Sequence, residues 1–431
     1  MSAILSPAAP SAYVPDSTPV APSIEKGGRL EVLDVLRGIA LLGMYTVHFY
    51  DYSSSPSEPW RRVEEWFLDG RFYTMFAMLF GIGFAVQLSR ADARGENLVP
   101  RYLRRLGALA VFGFIAEGIF GYNVLMGYAI WGLALLPIRR WSTRSLFLLF
   151  LVCSVFRSAN NVTRMAVAES QGRVAERVAD LKAAGASFQR ARLVHDSVGN
   201  SPRWRTVVID RIRFIPIFHR QWSWNPGGSF LLMLAGLLAF RLGIFQDPVR
   251  KRKTILMLML AGATSFVVAT WMLPWKGAPP MSLDALAKSA TPTRDMAFSI
   301  LSNNGFGIPR DAWLAFAYIG IVLLLVSYDR AWLRRLAPLA WNGRMALTNY
   351  MMQVMFLDLT FAPYGLGLKV TPRWIVIGAV GLFAVQAVIS RWWLSRFEYG
   401  PLEWLWRSIT YWRPARMRRE AVVDVSQAVL N

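Results

Sequence analysis

The sequence predicts an all-α, polytopic integral membrane protein with about ten transmembrane helices and both termini in the cytoplasm. Three observations carry this expectation. First, 54% of the 431 residues are apolar and only 17% are charged, against about 25% charged in an ordinary soluble domain. Second, apolar segments near the roughly 20 residues that cross a bilayer recur along the chain. Third, 48 Lys and Arg against 27 Asp and Glu leave a formal charge of +21, and the basic residues gather in alternate loops, as cytoplasmic loops do. A soluble nucleic-acid binder shares such a basic excess but not so apolar a composition, so no nucleic-acid partner is expected.

Taken in order, residues 1–28 are rich in Ala, Pro and Ser. They lack the basic-then-apolar order of a secretory signal and read as a disordered cytoplasmic arm. Candidate spans lie near 33–50, 71–89, 106–121, 123–138, 145–158, 228–246, 254–273, 312–328, 339–361 and 374–394. The stretch 296–309 offers a further half-helix, interrupted at Asn303, Asn304 and Gly305. Arg90, Arg94, Arg101, Arg104 and Arg105 separate the second and third spans, and Arg139, Arg140 and Arg144 follow the fourth. Arg250, Lys251, Arg252 and Lys253 follow the sixth, and Arg330, Arg334 and Arg335 the eighth. Arg413, Arg416, Arg418 and Arg419 open a basic tail, 413–431. If the spans alternate, all of these face the cytoplasm.

The opposite loops are less basic. Loop 51–70 sets Asp51, Glu58, Glu64, Glu65 and Asp69 against Arg61 and Arg62. Residues 159–227 break the pattern: they fall outside yet carry Arg164, Arg173, Arg177, Arg190 and Arg192. Loops longer than about 60 residues largely escape the charge rule. From Arg164 to His195 the recurrence of Val167, Val174, Val178 and Leu181 reads as an amphipathic helix that lies on the membrane surface or covers a site. Trp222, Trp224, Trp271, Trp275, Trp404 and Trp406 sit at span ends, as aromatic belts do. Gly81 and Gly83 suit close helix packing. Residues 222–228, Trp-Ser-Trp-Asn-Pro-Gly-Gly, form a possible re-entrant edge before the sixth span.

Cys153 is the single cysteine, and the three histidines, His48, His195 and His219, lack metal-site spacing. No metal and no disulfide is expected. His195 and His219, in the long loop, read as solvated.

The polar residues inside the spans are the candidate chemistry. In the first span, Asp34 and Arg37 are three apart and so neighbours on a helix. Arg37 and His48 are eleven apart, close to three whole turns, and so share one stripe with a rise of about 16 Å. Charges within spans usually face a cavity or a partner. The alternative is plainer: a topological anchor at one helix end and an interfacial His at the other. Glu117 in the third span is either a site carboxylate or half of a buried ion pair. Asn349 and Gln353, one turn apart in the ninth span, line a substrate path or bond neighbouring helices. Tyr45, a turn before His48, joins them as a candidate lining residue, and Asp358 points elsewhere, towards an interface.

These residues carry a resemblance. The start Arg29…Asp34-x-x-Arg37-Gly38 resembles the YeiB-like bacterial membrane proteins, a family of unknown function. So does the stretch 338–350, Pro-Leu-Ala-Trp-Asn-Gly-Arg-Met-Ala-Leu-Thr-Asn-Tyr, and the closing motif 397–411, with Gly400, Pro401, Glu403, Trp404, Trp406 and Arg407, is the most specific part. The opening is also similar to the transmembrane acyltransferases, among them the heparan-α-glucosaminide N-acetyltransferase and acyltransferase-3 groups. The latter carry an Arg followed eleven residues later by a His, as Arg37 and His48 do, whereas many YeiB-like members have Asn in place of His48. Arg101-x-x-Arg104 resembles that group's cytoplasmic Arg-x-x-Arg.

The resemblance implies a bacterial inner-membrane acyltransferase that moves an acyl group, such as acetyl, from acyl-CoA to a hydroxyl or amine. The acceptor would be an extracytoplasmic envelope glycan, lipid or small molecule. His48 would be the general base, Asp34 and Arg37 would organise its helix face, and Glu117 would be its partner. Arg101, Arg104 and Arg105 would meet the CoA phosphates, or else serve only as positive-inside anchors. The domains would be the arm 1–28, an acyltransferase-like half 29–158, an outer amphipathic loop 159–227, a YeiB-like half 228–412 and the tail 413–431. A transporter or flippase of a small molecule or lipid is the alternative, although no internal repeat supports it; a scaffold for envelope enzymes is a third.

Overall fold

The computed structural model describes residues 31–50, 52, 64, 66–122, 124–222, 228–268, 282–304, 310–369 and 371–419. The arm 1–28, Arg29, most of loop 51–70, Asn123, Trp224, Trp271, Trp275, Gly305 and the end of the tail lie outside the described residues, as does most of 222–228. Helices dominate what is described, and the only strand-like pairing among the described residues is an isolated bridge between Phe397 and Arg418.

The helices are α1 (Glu31–Tyr50), α2 (Arg71–Ala93), α3 (Leu98–Gly118), α4 (Val124–Ile138), α5 (Thr143–Ser170), α6 (Val174–Gly199), α7 (Trp204–Trp222) and α8 (Ser229–Arg241). There follow α9 (Arg252–Val267), α10 (Leu283–Ala287), α11 (Pro292–Asn304), α12 (Arg310–Tyr328), α13 (Ala331–Arg335) and α14 (Ala337–Arg344). The last are α15 (Ala346–Phe361), α16 (Pro372–Arg396) and α17 (Pro401–Tyr411). Four described helices, α1, α2, α5 and α16, are long and apolar enough to cross a membrane, while α4, α8 and α12 are apolar but shorter.

Helix α1 holds the centre. It packs against α2, α14, α15 and α16, and Val35, Leu36, Ala40, Leu41 and Tyr45 on it are wholly buried. Apolar side chains are instead exposed along α5 (Leu148, Val152, Phe156), α9 (Met257, Leu258, Leu260) and α16 (Ile377, Val380, Val388). Contiguous exposed apolar faces suit lipid rather than water.

Between apolar helices in lipid, close backbone approach replaces hydrophobic drive. At Gly38 a Cβ would run into the Leu339 carbonyl, and at Gly343 into the Asp34 carbonyl, so α1 and α14 touch backbone to backbone. Gly81 and Gly236 do the same for α2 and α8, each lying on a carbonyl of the other helix. Gly83, expected to share that role, has nothing within 4 Å of a would-be Cβ.

Two expectations are corrected. The ninth span is not one helix: it breaks at Met345 (φ −108°, ψ 35°) into α14 and α15. The apolar recurrence Val167, Val174, Val178 and Leu181 does not run along one helix from Arg164 to His195: the helix breaks between Ser170 and Val174, and Val167 on α5 is exposed. Val174, Val178 and Leu181 pack on Met165, Leu283, Leu286 and Met296, so α6 is covered by α5, α10 and α11. The packing predicts that Gly343→Ala lowers the melting midpoint of the purified protein in detergent. The loss should be about 1–3 kcal/mol or more, as overpacking costs, because the obstacle is backbone. Gly83→Ala is expected to leave the midpoint unchanged or raise it.

Candidate functional site

The polar stripe of α1 faces protein, not lipid. Near its start the Asp34 carboxylate, nearly fully buried, accepts from Arg37 Nη1 at 2.8 Å, while the Arg37 side chain stays about a third exposed (32%). Two to three turns beyond, the Tyr45 hydroxyl donates to the Asn349 backbone carbonyl at 3.2 Å. His48 is buried. Its Nδ1 lies 3.1 Å from Gln353 Nε2 on α15, and its ring meets the Tyr122 ring at 4.4 Å and the Tyr350 ring at 6.5 Å. An interfacial location for His48 does not describe this setting.

The broken helix supplies the facing wall. Asn349 Nδ2 reaches the Asn342 carbonyl and side-chain oxygens and the Ser390 hydroxyl, at 3.3, 3.3 and 3.0 Å. Asn342 Nδ2 donates to the Phe383 carbonyl at 3.0 Å. The first amide groups of α15 would be orphaned at the break. Glu403 from α17 accepts from them instead, taking Leu347 N–H at 2.6 Å, Thr348 N–H at 3.0 Å and the Thr348 hydroxyl at 2.6 Å. A carboxylate also suits the positive end of a helix dipole. Burial raises the Glu403 pKa above the usual carboxylate value, and these hydrogen bonds pull it partly back.

Between these walls runs a cavity of about 540 Å³. Arg37, Arg90, Arg105, Arg344 and Arg407 line one end, with Tyr399, Trp406 and Tyr411 of the closing segment. Met44, Phe76, Val124, Tyr128 and Tyr350 line the other. His48 stands one helical turn beyond Met44 and is not itself among the lining residues. The cavity's lining on α2, from Phe76 to Arg90, rises by roughly 20 Å at 1.5 Å per residue.

The three arginines expected to meet a donor's phosphates all lie on α3 and part company. Arg105 lines the cavity, stacked on Trp406 at 3.8 Å, whose Nε1 donates to the Arg105 carbonyl at 2.8 Å. Arg101 pairs with Glu96 at 2.6 Å and lies over Tyr411, and Arg104 donates to the Thr410 carbonyl at 3.1 Å. Both of the latter tie α3 to α17.

Glu117 is expected either as the partner of His48 or as half of a buried ion pair. In the fold its Oε2 lies 2.7 Å from His219 Nε2 of α7, both groups buried. His219 is therefore not a solvated loop residue. His195 is also paired, with Asp210 at 2.6 Å, and stacked on Phe214 at 4.3 Å. Asp358 is not interfacial but almost wholly buried: it takes Arg211 Nη2 at 2.8 Å and the Tyr364 hydroxyl at 2.5 Å. Arg211 also donates to the Ile119 carbonyl at 2.5 Å, so α7 is strapped across the ends of α3 and α15. Among the described residues no group of His, Cys, Asp and Glu has the arrangement of a metal site.

Residues 239–413 match a family described as Protein of unknown function (DUF418). Residues 29–170 match the family described as Heparan-alpha-glucosaminide N-acetyltransferase, catalytic. The chain is 28% identical over 420 residues to Uncharacterized protein YxaH of Bacillus subtilis (strain 168), an alignment covering 90% of this chain and 96% of the relative. It is 24% identical over 417 residues to Uncharacterized protein YeiB of Escherichia coli (strain K12), covering 88% and 95%. It is 26% identical over 410 residues to the Uncharacterized 39.9 kDa protein in amylase 3'region of Bacillus acidopullulyticus, covering 91% and 97%. No solved structure matches. The YeiB-like resemblance thus runs over most of the chain.

Glu403→Ala should free the α15 N-terminus and lower the melting midpoint by the about 0.5–2 kcal/mol that a lost cap costs. Glu403→Gln, which keeps one acceptor oxygen, should lose less. Equal midpoints for wild type and Glu403→Ala would contradict the capping role.

Proposed function

From a YeiB-like chain whose residues 29–170 match an acetyltransferase catalytic domain, we propose a membrane-embedded acyltransferase of the bacterial inner membrane, multi-pass, with both termini cytoplasmic. It moves an acyl group, such as acetyl, from acyl-CoA to a hydroxyl or amine of an extracytoplasmic envelope molecule. The observation that carries this reading is a cavity that runs from an arginine-lined end to Tyr350, whose ring lies 6.5 Å from that of His48. Arginine suits phosphate oxyanions through its planar fork, and the aromatic rings beside the arginines suit a nucleotide base. A donor seated with its phosphates among Arg37, Arg105, Arg344 and Arg407 would extend its acyl thioester towards Met44, Tyr350 and His48.

His48 then serves as general base on the acceptor. Its tautomer depends on Gln353. With Gln353 Nε2 towards Nδ1, the amide oxygen has no partner among the described residues. A half-turn of the amide places that oxygen on an Nδ1–H, which leaves the Nε2 lone pair available to take the acceptor's proton. The acceptor approaches from the opposite side, past Tyr122 and the α7 strap with its Glu117–His219 pair.

A transporter or flippase draws support from the broken helix, since half-helix N-termini bind anionic substrates in transporters. Here, however, Glu403 already occupies that N-terminus. Uptake into proteoliposomes without added CoA separates the two readings.

In the full-length protein incubated with labelled acetyl-CoA and envelope vesicles, His48→Ala should reduce label transfer by roughly 10²–10⁴-fold, the scale of a lost general base. Arg407→Gln should raise the KM for acetyl-CoA about tenfold with kcat little changed, as removal of a charge-assisted hydrogen bond does. Full transfer by His48→Ala would remove the base assignment.

A further inference from the structure

Tyr350 is buried, and its hydroxyl has no hydrogen-bond partner among the described residues. Its neighbours differ. Tyr45 donates to the Asn349 carbonyl and Tyr128 to the Tyr73 carbonyl at 2.8 Å, while Tyr73 is bonded to Ser229. Tyr102 on α3 is also buried without a partner, but it packs on Phe84 and does not line the cavity. Tyr350 does line it, at the inner end with Met44 and Tyr128, its ring 6.5 Å from that of His48.

A buried hydroxyl left unpaired costs about 1–3 kcal/mol. A tyrosine kept at such a place has a donor to offer to an acceptor that arrives with the ligand. Met44 and Tyr128 stand beside it in the lining, and the Glu117 carboxylate, held by His219, lies within electrostatic reach; a buried, fixed O–H is the setting in which oxyanion donors are strongest. His48 lies within one ring-to-ring contact, behind Tyr350 and outside the lining residues, so the base stands next to a donor that the cavity reaches.

We propose that the Tyr350 hydroxyl donates to the thioester carbonyl oxygen of the acyl donor and stabilises the oxyanion formed there; the inference rests on the acyl-transfer reading. The acceptor oxygen or nitrogen forms a bond to the carbonyl carbon as His48 takes its proton. The carbonyl electron pair moves onto oxygen, which Tyr350 holds. When the carbonyl re-forms, the carbon–sulfur bond breaks, and the thiolate leaves with the proton that His48 returns, as CoA thiol. Tyr350 keeps its own proton throughout.

The test uses the full-length protein in detergent with acetyl-CoA labelled at the carbonyl carbon. Affinity is read by titration calorimetry and the carbonyl stretch of the bound donor by infrared difference spectroscopy. Tyr350→Phe removes one oxygen that bonds to nothing else described, so the fold should hold. The bound carbonyl should stretch at lower frequency in wild type than in Tyr350→Phe, with Kd for acetyl-CoA within twofold. With envelope vesicles as acceptor, kcat should fall about 10²–10³-fold, the loss seen for one oxyanion donor, with KM unchanged. Identical carbonyl stretches in both proteins, with acetyl-CoA bound, overturn the role of Tyr350 and leave the donor site standing. No acetyl-CoA binding by wild type overturns both.

Discussion

The backbone contact between α1 and α14 is the constraint on which the rest of the structure depends. Gly38 and Gly343 each lie against a carbonyl of the other helix, and any side chain at either would force the pair apart. That contact sits beside the Asp34–Arg37 pair and directly before the break at Met345. It therefore sets where α15 begins, and with it the height at which Asn349, Tyr350 and Gln353 face Tyr45 and His48. Lipid-facing apolar residues cannot supply this precision, because tails of lipid satisfy them wherever they point. Two glycines and a ladder of amides through Asn342, Asn349 and Ser390 do so instead.

The second dependency runs through α17. A helix that breaks inside an apolar medium leaves amide groups that must be satisfied by protein, and Glu403 is what satisfies them. Once it is anchored there, α17 brings Trp406 under Arg105 and Arg407 onto Tyr399 and Tyr411. A single capping carboxylate thus fixes the break in α15 and the arginine-lined end of the cavity together. This gives a physical reason for a closing motif that mixes Gly, Pro, Glu, Trp and Arg. Gly400 leaves room where Glu403 and Thr348 meet, Pro401 starts the helix, Glu403 caps, and Trp406 and Arg407 build the cavity end.

Much of the local picture was legible in the sequence, and most of the pairing was not. Apolar segments marked the helices because burial in lipid or protein demands runs of apolar residues. The eleven-residue spacing put Arg37 and His48 on one stripe because three helical turns take nearly that many residues. The break in the ninth span escaped that reasoning: 339–361 is mostly apolar, and the carboxylate that satisfies the freed amides lies more than fifty residues away. The partner of Glu117 was hidden for the same reason. His219 is 102 positions distant on a basic helix, where its neighbours in sequence suggest solvent. The recurrence of Val167, Val174, Val178 and Leu181 suggests one amphipathic helix, but it is split between α5 and α6, and the layer that covers Val174 to Leu181 comes from residues 283–296, which no period reveals.

The basic excess reads differently once the helices are packed. Arg37, Arg90, Arg105, Arg344 and Arg407 come from five different helices, and each is explained singly by the tendency of cytoplasmic ends to collect arginine. Together they line one end of one cavity, where like charges repel unless something anionic lies between them. Part of that repulsion is met by Asp34, Glu398 and Glu403, which line the same end, and part by stacking on aromatic faces, where an arginine is attracted to the ring quadrupole. Five cations against three carboxylates leaves the lining net positive. A charge set of the kind that the positive-inside tendency gathers thereby also presents an anion-attracting entrance, and the two roles need no separate residues. Topology selects the sign at that end of the helices; the Glu403 cap and the Trp406 stack convert the sign into a place.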